Sequence, residues 1–144
     1  METADRSGNF TFEDLVVGAK LGRQYVMSPD VYQRFLDLFG DSSPLHVDDQ
    51  AANSCGFPAK LMHGAILNGF ISNFVGMNFP GRRSLELGVD IRFLKPAHLG
   101  DVLDLEAVVK QRLESRRVVV LDFAFRRNST LIASGVITAM ICEL

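Results

Sequence analysis

Twenty consecutive residues, LMHGAILNGFISNFVGMNFP (61–80), contain no Asp, Glu, Lys or Arg. A helix of this composition is apolar nearly all round, so it must be covered on most sides by the rest of the chain or by lipid. Lipid is the poorer cover, because His63, Asn68, Ser72, Asn73, Asn78 and three glycines lie within the span. We therefore expect a helix buried inside the protein, with no membrane partner.

The C-terminal half of the chain can supply the cover. Leu85, Leu87, Val89, Ile91 and Phe93 alternate with Glu86, Gly88, Asp90 and Arg92. Leu103, Leu105, Ala107 and Val109 form a second alternating run, and Val119, Leu121, Phe123 and Phe125 a third. Period-two alternation marks strands with one buried face. The last run, 131–142, is apolar on both faces, as an interior strand is. The turns LGD (99–101), ESRR (114–117) and RNST (127–130) are expected to separate adjacent antiparallel strands, and GRQYVM (22–27) is a candidate first strand. A sheet with one apolar face and a helix apolar all round satisfy each other when the sheet wraps the helix, which predicts an α+β fold.

At 144 residues the chain has the length of one domain. We expect residues 1–9 to be flexible and 10–144 to form the domain. The first ten residues, METADRSGNF, lack the apolar run of a signal peptide and the basic face of a targeting helix. Fifteen Lys and Arg against seventeen Asp and Glu leave no basic excess for nucleic acid. Cys55 and Cys142 stand far apart with no Cys-x-x-Cys spacing, and are read as reduced core thiols of a cytoplasmic protein with no metal site.

Upstream, Ser28 and Pro29 suit an N-cap and a first helical residue, and Val31, Phe35, Leu38 and Phe39 share one side of a helix ending near Gly40. Next comes GDSSPLHVDD (40–49), expected to be neither helix nor strand, and then a short helix from Asp48 or Asp49 to Gly56. Asp41 and His46 flank the Ser-Ser-Pro turn. An Asp in such a turn commonly bonds its own backbone, and a lone His is commonly a packing residue. Gly64, in the first turn of the apolar helix, weakens that helix by about 1 kcal/mol relative to Ala, a cost usually explained by close approach of another group. Taken together, the three describe a site.

These residues resemble the hydratase motif of the MaoC-like, (R)-specific enoyl-CoA hydratases and 3-hydroxyacyl dehydratases. The family pattern is Asp-x-Asn-Pro-x-His, then an HG step; here it reads Asp41-Ser42-Ser43-Pro44-Leu45-His46, with His63-Gly64 seventeen residues after His46. Ser43 departs from the family Asn. The resemblance extends from FTFEDLVVGAKL through FLKPAHLGD to the last strand. It implies a hot-dog fold, a curved antiparallel sheet around a central helix. It also implies addition of water to a trans-2-enoyl thioester, or the reverse dehydration. Asp41 and His46 would share the water as base and positioner, and the Gly64 N–H at the helix start would stabilise the thioester oxygen.

Ser72 matches a polar position of the family's central helix and is a candidate support for the site. Its other reading is a hydroxyl bonded to its own helix. His63 is expected to orient the helix start, and His98 to lie in a loop. No separate cofactor is implied, only coenzyme A or an acyl-carrier arm as part of the substrate. Lys60, Arg82, Arg83, Lys95, Arg116 and Arg117 are candidate phosphate partners. Ile66, Leu67, Phe70 and Ile71 either line an acyl pocket or form core. Open sheet edges predict a homodimer. A thioesterase and a non-catalytic acyl-CoA-binding module remain the other readings.

Overall fold

The computed structural model describes residues 8–143. Among these, five strands form one antiparallel sheet: β1 (Lys20–Val26), β2 (Ser84–Phe93), β3 (Val102–Leu113), β4 (Val118–Arg127) and β5 (Thr130–Ile141), in the order β1-β3-β4-β5-β2. The helices α1 (Pro29–Phe39), α2 (Pro44–Val47), α3 (Asp49–Ser54) and α4 (Ala65–Met77) lie between β1 and β2 in the chain. The sheet wraps α4, giving the hot-dog arrangement. Ile66, Leu67, Ile71, Phe74 and Val75 of α4 share one buried cluster with Leu103, Leu105, Leu121, Phe125 and Ile137 of the sheet. No helix among the described residues is long and apolar enough to cross a membrane.

The alternating residues of β3 and β4 face the core as expected: Leu103, Leu105, Ala107 and Val109 are buried, as are Val119, Leu121, Phe123 and Phe125. β2 behaves differently. Leu85, Leu87 and Phe93 remain about half exposed, at 50%, 52% and 53%. A register shift between Glu86 and Gly88 turns the face of this edge strand, so Leu85 pairs with Met140 on the outer face while Val89 pairs with the core residue Ile137. On one flank of α4 Asn68, Gly69 and Ser72 are exposed, so the helix is bare there and not covered on all sides. Asn73 Oδ1, by contrast, accepts from the Tyr25 hydroxyl (2.9 Å) and from Arg23 (3.2 Å) of β1.

The turns ESRR and RNST join neighbours in the sheet, with Arg117 (φ 51°) and Asn128 (φ 55°) making the left-handed steps. The LGD turn does not. It lies between β2 and β3, which sit at different places in the sheet, and the connection crosses over. At the N-terminus, residues 1–7 of the expected flexible segment lie outside the described residues, and Gly8 and Asn9 are held. Gly8 N–H donates to the Asn78 carbonyl (2.7 Å), Arg82 N–H donates to that of Gly8 (3.0 Å), and Asn9 bridges to Gly81. Cys55 is exposed and Cys142 half-buried, both free, so neither is a core thiol.

The elements that carry the site are locally specified. Ser28 caps α1 by accepting from Val31 N–H (3.2 Å), Pro29 occupies its first turn, and Gly40 closes it in the left-handed region (φ 70°). The chain then turns sharply into the Asp41 loop.

Candidate active site

Asp41 comes directly after the α1 cap. Its Oδ1 accepts the N–H of Ser43 (3.2 Å), the local turn bond that short acidic side chains favour. This N–H is the main cause holding the Asp41 carboxyl below the ordinary carboxylate range. The Ser43 side chain and the nearby His46 and His63 pull the same way, against a desolvation that raises it. Asp41 is thus an ionised carboxylate at neutral pH.

The segment expected to be irregular contains a one-turn helix, α2, and His46 sits in it. Pro44 starts that turn, and tertiary bonds hold it: the buried Tyr32 hydroxyl donates to the His46 carbonyl (2.8 Å), and Leu61 N–H donates to the Leu45 carbonyl (2.8 Å). His46 Nδ1 lies 2.8 Å from the Leu61 carbonyl oxygen. A carbonyl only accepts, so Nδ1 carries the hydrogen and the lone pair of the neutral ring is on Nε2. That nitrogen stands 3.8 Å from Asp41 Oδ2. The gap is too long for a direct hydrogen bond and short enough for one water to touch both groups.

His63 does more than orient the start of α4. It is 2% exposed, and its Nε2 lies 2.7 Å from the Asp41 carbonyl oxygen, so Nε2 is the donor. Its ring stacks on His46 (centroids 4.1 Å apart) and packs against Phe35 (4.7 Å). Nδ1 of His63 is buried without a partner among the described residues. One side chain therefore links the Asp41 loop, the His46 turn and the entrance to α4. The sequence signal for this is the HG step itself, but the bond to a carbonyl 22 residues away is not legible in it.

Gly64 caps α4 without a side-chain bond, and among the described residues its N–H meets no protein acceptor. A cleft of about 490 Å³ opens there, with His46, His63, Gly64, Phe93, Lys95 and Pro96 in its walls. The sequence expectation of a close approach at Gly64 is met by a group of the protein itself. A Cβ at this position would lie 2.9–3.1 Å from the tip of the Phe93 ring. The alternation of β2 points to Phe93 as a core residue; the structure places it in the cleft.

Ser43 enters the site through its backbone N–H. Ser72 is exposed on the bare flank of α4, away from the residues that line the cleft. Of the six basic candidates, Lys95 alone lines it. Lys60 lies over the Tyr32 ring (4.7 Å), and Arg117 pairs with Glu13 (3.3 Å) and Glu143 (3.6 Å). A second, apolar groove of about 640 Å³ runs between α1 and α4, with Phe35, Leu38, Phe39, Ile66 and Phe70 in its walls. Ala65 lines both spaces. Leu67 faces the first cleft, and Ile71 is core.

Among the described residues, Asp41, His46 and His63 form one cluster whose ligand atoms lie within 4.8 Å of one another, the spacing a metal ion needs. The orientation of the rings suits it poorly. Stacked imidazoles project their in-plane lone pairs side by side rather than towards one point, and one nitrogen of each already serves a backbone carbonyl. The arrangement is suited instead to proton transfer: a carboxylate, an imidazole nitrogen with an available lone pair, and an unpaired N–H at the start of a 13-residue helix.

Fold and site together define a hot-dog protein with a carboxylate and an imidazole nitrogen 3.8 Å apart near a helix N-terminus. The chain belongs to the MaoC-like family: the model of the MaoC like domain matches residues 16–123. It is similar to the (R)-specific enoyl-CoA hydratase of Aeromonas caviae, 31% identical over 102 residues that span 70% of this chain and 76% of that one. It also resembles the mitochondrial 3-hydroxyacyl-[acyl-carrier-protein] dehydratase of Arabidopsis thaliana, 25% identical over 135 residues, 90% of this chain and 80% of that one. The solved structure of an R-hydratase from Pseudomonas aeruginosa, unliganded, superposes with a TM-score of 0.85 at 26% identity, covering 94% of this chain and 88% of that one.

Proposed function

We propose that this protein is a lyase that adds water to trans-2-enoyl-CoA to give (R)-3-hydroxyacyl-CoA, or catalyses the reverse dehydration. The observation that carries this reading is the Asp41 carboxylate 3.8 Å from His46 Nε2, with His46 in the wall of the cleft where Gly64 N–H opens. The thioester oxygen accepts from Gly64 N–H. Water held between Asp41 and His46 forms the C–O bond at the β-carbon as one of its protons passes to the pair. The double-bond electrons move towards the thioester, and the negative charge growing on its oxygen is stabilised by the N–H and the helix dipole. A proton returned to the α-carbon completes the addition. Asp41 and His46 Nε2 act on this one water together, as base and positioner. The (R) stereochemistry is carried by the likeness to the Aeromonas enzyme.

Lys95, in the cleft wall, is the candidate to meet a phosphate of the substrate arm, which coenzyme A and an acyl carrier both bear. An acyl-carrier-protein thioester is the second reading, supported by the Arabidopsis relative. We propose a homodimer in which the β2 edge and the bare flank of α4 face a second copy, and a cytoplasmic location in keeping with two free cysteines.

The test tracks enoyl absorbance of crotonyl-CoA with free thiol measured in parallel. Loss of the enoyl band without thiol release supports hydration. Thiol release assigns a thioesterase instead, and binding without either change assigns an acyl-CoA-binding module.

A further inference from the structure

The tip of the Phe93 ring stands where a side chain on residue 64 would stand, with its Cζ and both Cε atoms 2.9–3.1 Å from an ideal Cβ. The ring is 53% exposed and lines the same cleft as Gly64 and His46. Its placement is built from both sides. Phe93 is the last residue of β2 and pairs with Ala133 of β5, while Leu94 and Lys95 N–H both donate to the Ile132 carbonyl (2.8 and 3.1 Å). Four residues after Phe93, the Ala97 carbonyl accepts Met62 N–H (2.9 Å), two residues before Gly64. The edge strand and the start of α4 are thus joined, and the ring is held at the cleft although it is half exposed.

We propose that Phe93 is a specificity-determining residue that confines the cleft beside Gly64 to acyl groups unbranched at the α-carbon. This rests on the hydratase reading above. A thioester whose oxygen accepts Gly64 N–H has its carbonyl carbon next to Gly64, with two neighbours, sulfur and the α-carbon. Only the α-carbon can carry a branch. A methyl branch turned towards the Gly64 Cα would meet the Phe93 tip, which already stands 2.9–3.1 Å from a Cβ built there. Shortening the side chain vacates a volume continuous with the cleft.

The experiment compares kcat/KM for trans-2-butenoyl-CoA and trans-2-methyl-2-butenoyl-CoA in wild type, Phe93→Ala and Phe93→Leu, with folding checked by circular dichroism. One methyl group in a pocket is worth about 10–200-fold in discrimination. We expect the branched-to-unbranched ratio to rise at least about tenfold in Phe93→Ala and by less in Phe93→Leu. A ring that merely supports the fold lowers both rates together. An unchanged ratio in either folded variant overturns the assignment of Phe93 and leaves the hydratase reading intact. Failure of the wild type to hydrate either substrate overturns both.

Discussion

Replacing His63 by Phe separates its hydrogen bond from its packing. The larger ring keeps the contacts with His46, Phe35 and Tyr32, whose centroids lie 4.1, 4.7 and 5.9 Å away, but removes the Nε2–H that holds the Asp41 carbonyl. Three terms set the stability change. The lost hydrogen bond costs about 1 kcal/mol net, since the exposed Asp41 loop can turn its carbonyl to water. One extra ring atom in a packed site costs about 1 kcal/mol. Removing a buried nitrogen that has no partner returns about 1 kcal/mol. The net loss is roughly 1 kcal/mol, a fall in Tm of about 2–5 °C for a chain of this size, which leaves the protein folded at 25 °C. Activity should respond out of proportion. With its loop released, Asp41 no longer faces His46 Nε2 at the spacing that one water spans. A misplacement of about 1 Å at a reacting centre costs on the order of 10²-fold. Hydration of crotonyl-CoA should therefore fall about 10²-fold. In an Asp41→Asn background the same change should add less than about threefold, because the positioned group is already disabled. Wild-type turnover in folded His63→Phe, or full additivity with Asp41→Asn, would refute the tether.

Two other contacts give sharp outcomes. Ser43 has φ −58° and ψ 144°, a conformation proline accepts, so Ser43→Pro removes the N–H that most lowers the Asp41 pKa. Carbon-13 titration of the Asp41 carboxyl should show its pKa rising towards the ordinary value of about 3.9; an unchanged value contradicts the assigned cause. Because the folded pKa is depressed, Asp41 contributes stability that is present above its unfolded pKa and lost as pH falls through the folded value, so Ser43→Pro should reduce this part of acid unfolding. At the edge strand, Leu87→Glu puts a charge on a residue 52% exposed in one chain. Light scattering should give about twice the 15.9 kDa chain mass for wild type and about the single mass for the variant; a wild-type monomer, or a variant still dimeric, counts against β2 as the interface.

What the sequence makes legible is whatever local chemistry decides. The Ser28 cap, Pro29 and Gly40 bracket α1, and the alternation in β3 and β4 sets their buried faces, because each signal lies within a few residues of its effect. The motif likewise names Asp41, His46 and Gly64. What it cannot convey depends on long-range contact. α2 is too short to show a period and is held by Tyr32 and Leu61 from elsewhere in the chain. β2 has the pattern of a covered strand, but a bulge between Glu86 and Gly88 puts Leu85 on the face opposite to Val89, and alternation does not encode a bulge. Ser72 lies eight residues after Gly64, yet α4 has turned it onto the bare flank. Phe93 has the sequence pattern of a core residue because nothing local distinguishes a ring packed on a helix start from one packed in a core.

The central claim is that Asp41 and His46 act on one water, and Asp41→Asn tests it most directly. The amide keeps the size of the carboxylate and can still accept the Ser43 N–H, so Tm should change little. It removes the negative charge beside His46 Nε2, and a general-base contribution is worth about 10²–10⁴-fold. Hydration of crotonyl-CoA should fall by at least about 10²-fold. His46→Gln should lose a comparable factor, and the double variant should be little slower than either single one. Near-wild-type turnover in folded Asp41→Asn, or a large drop in Tm with activity retained in the folded fraction, would contradict the account.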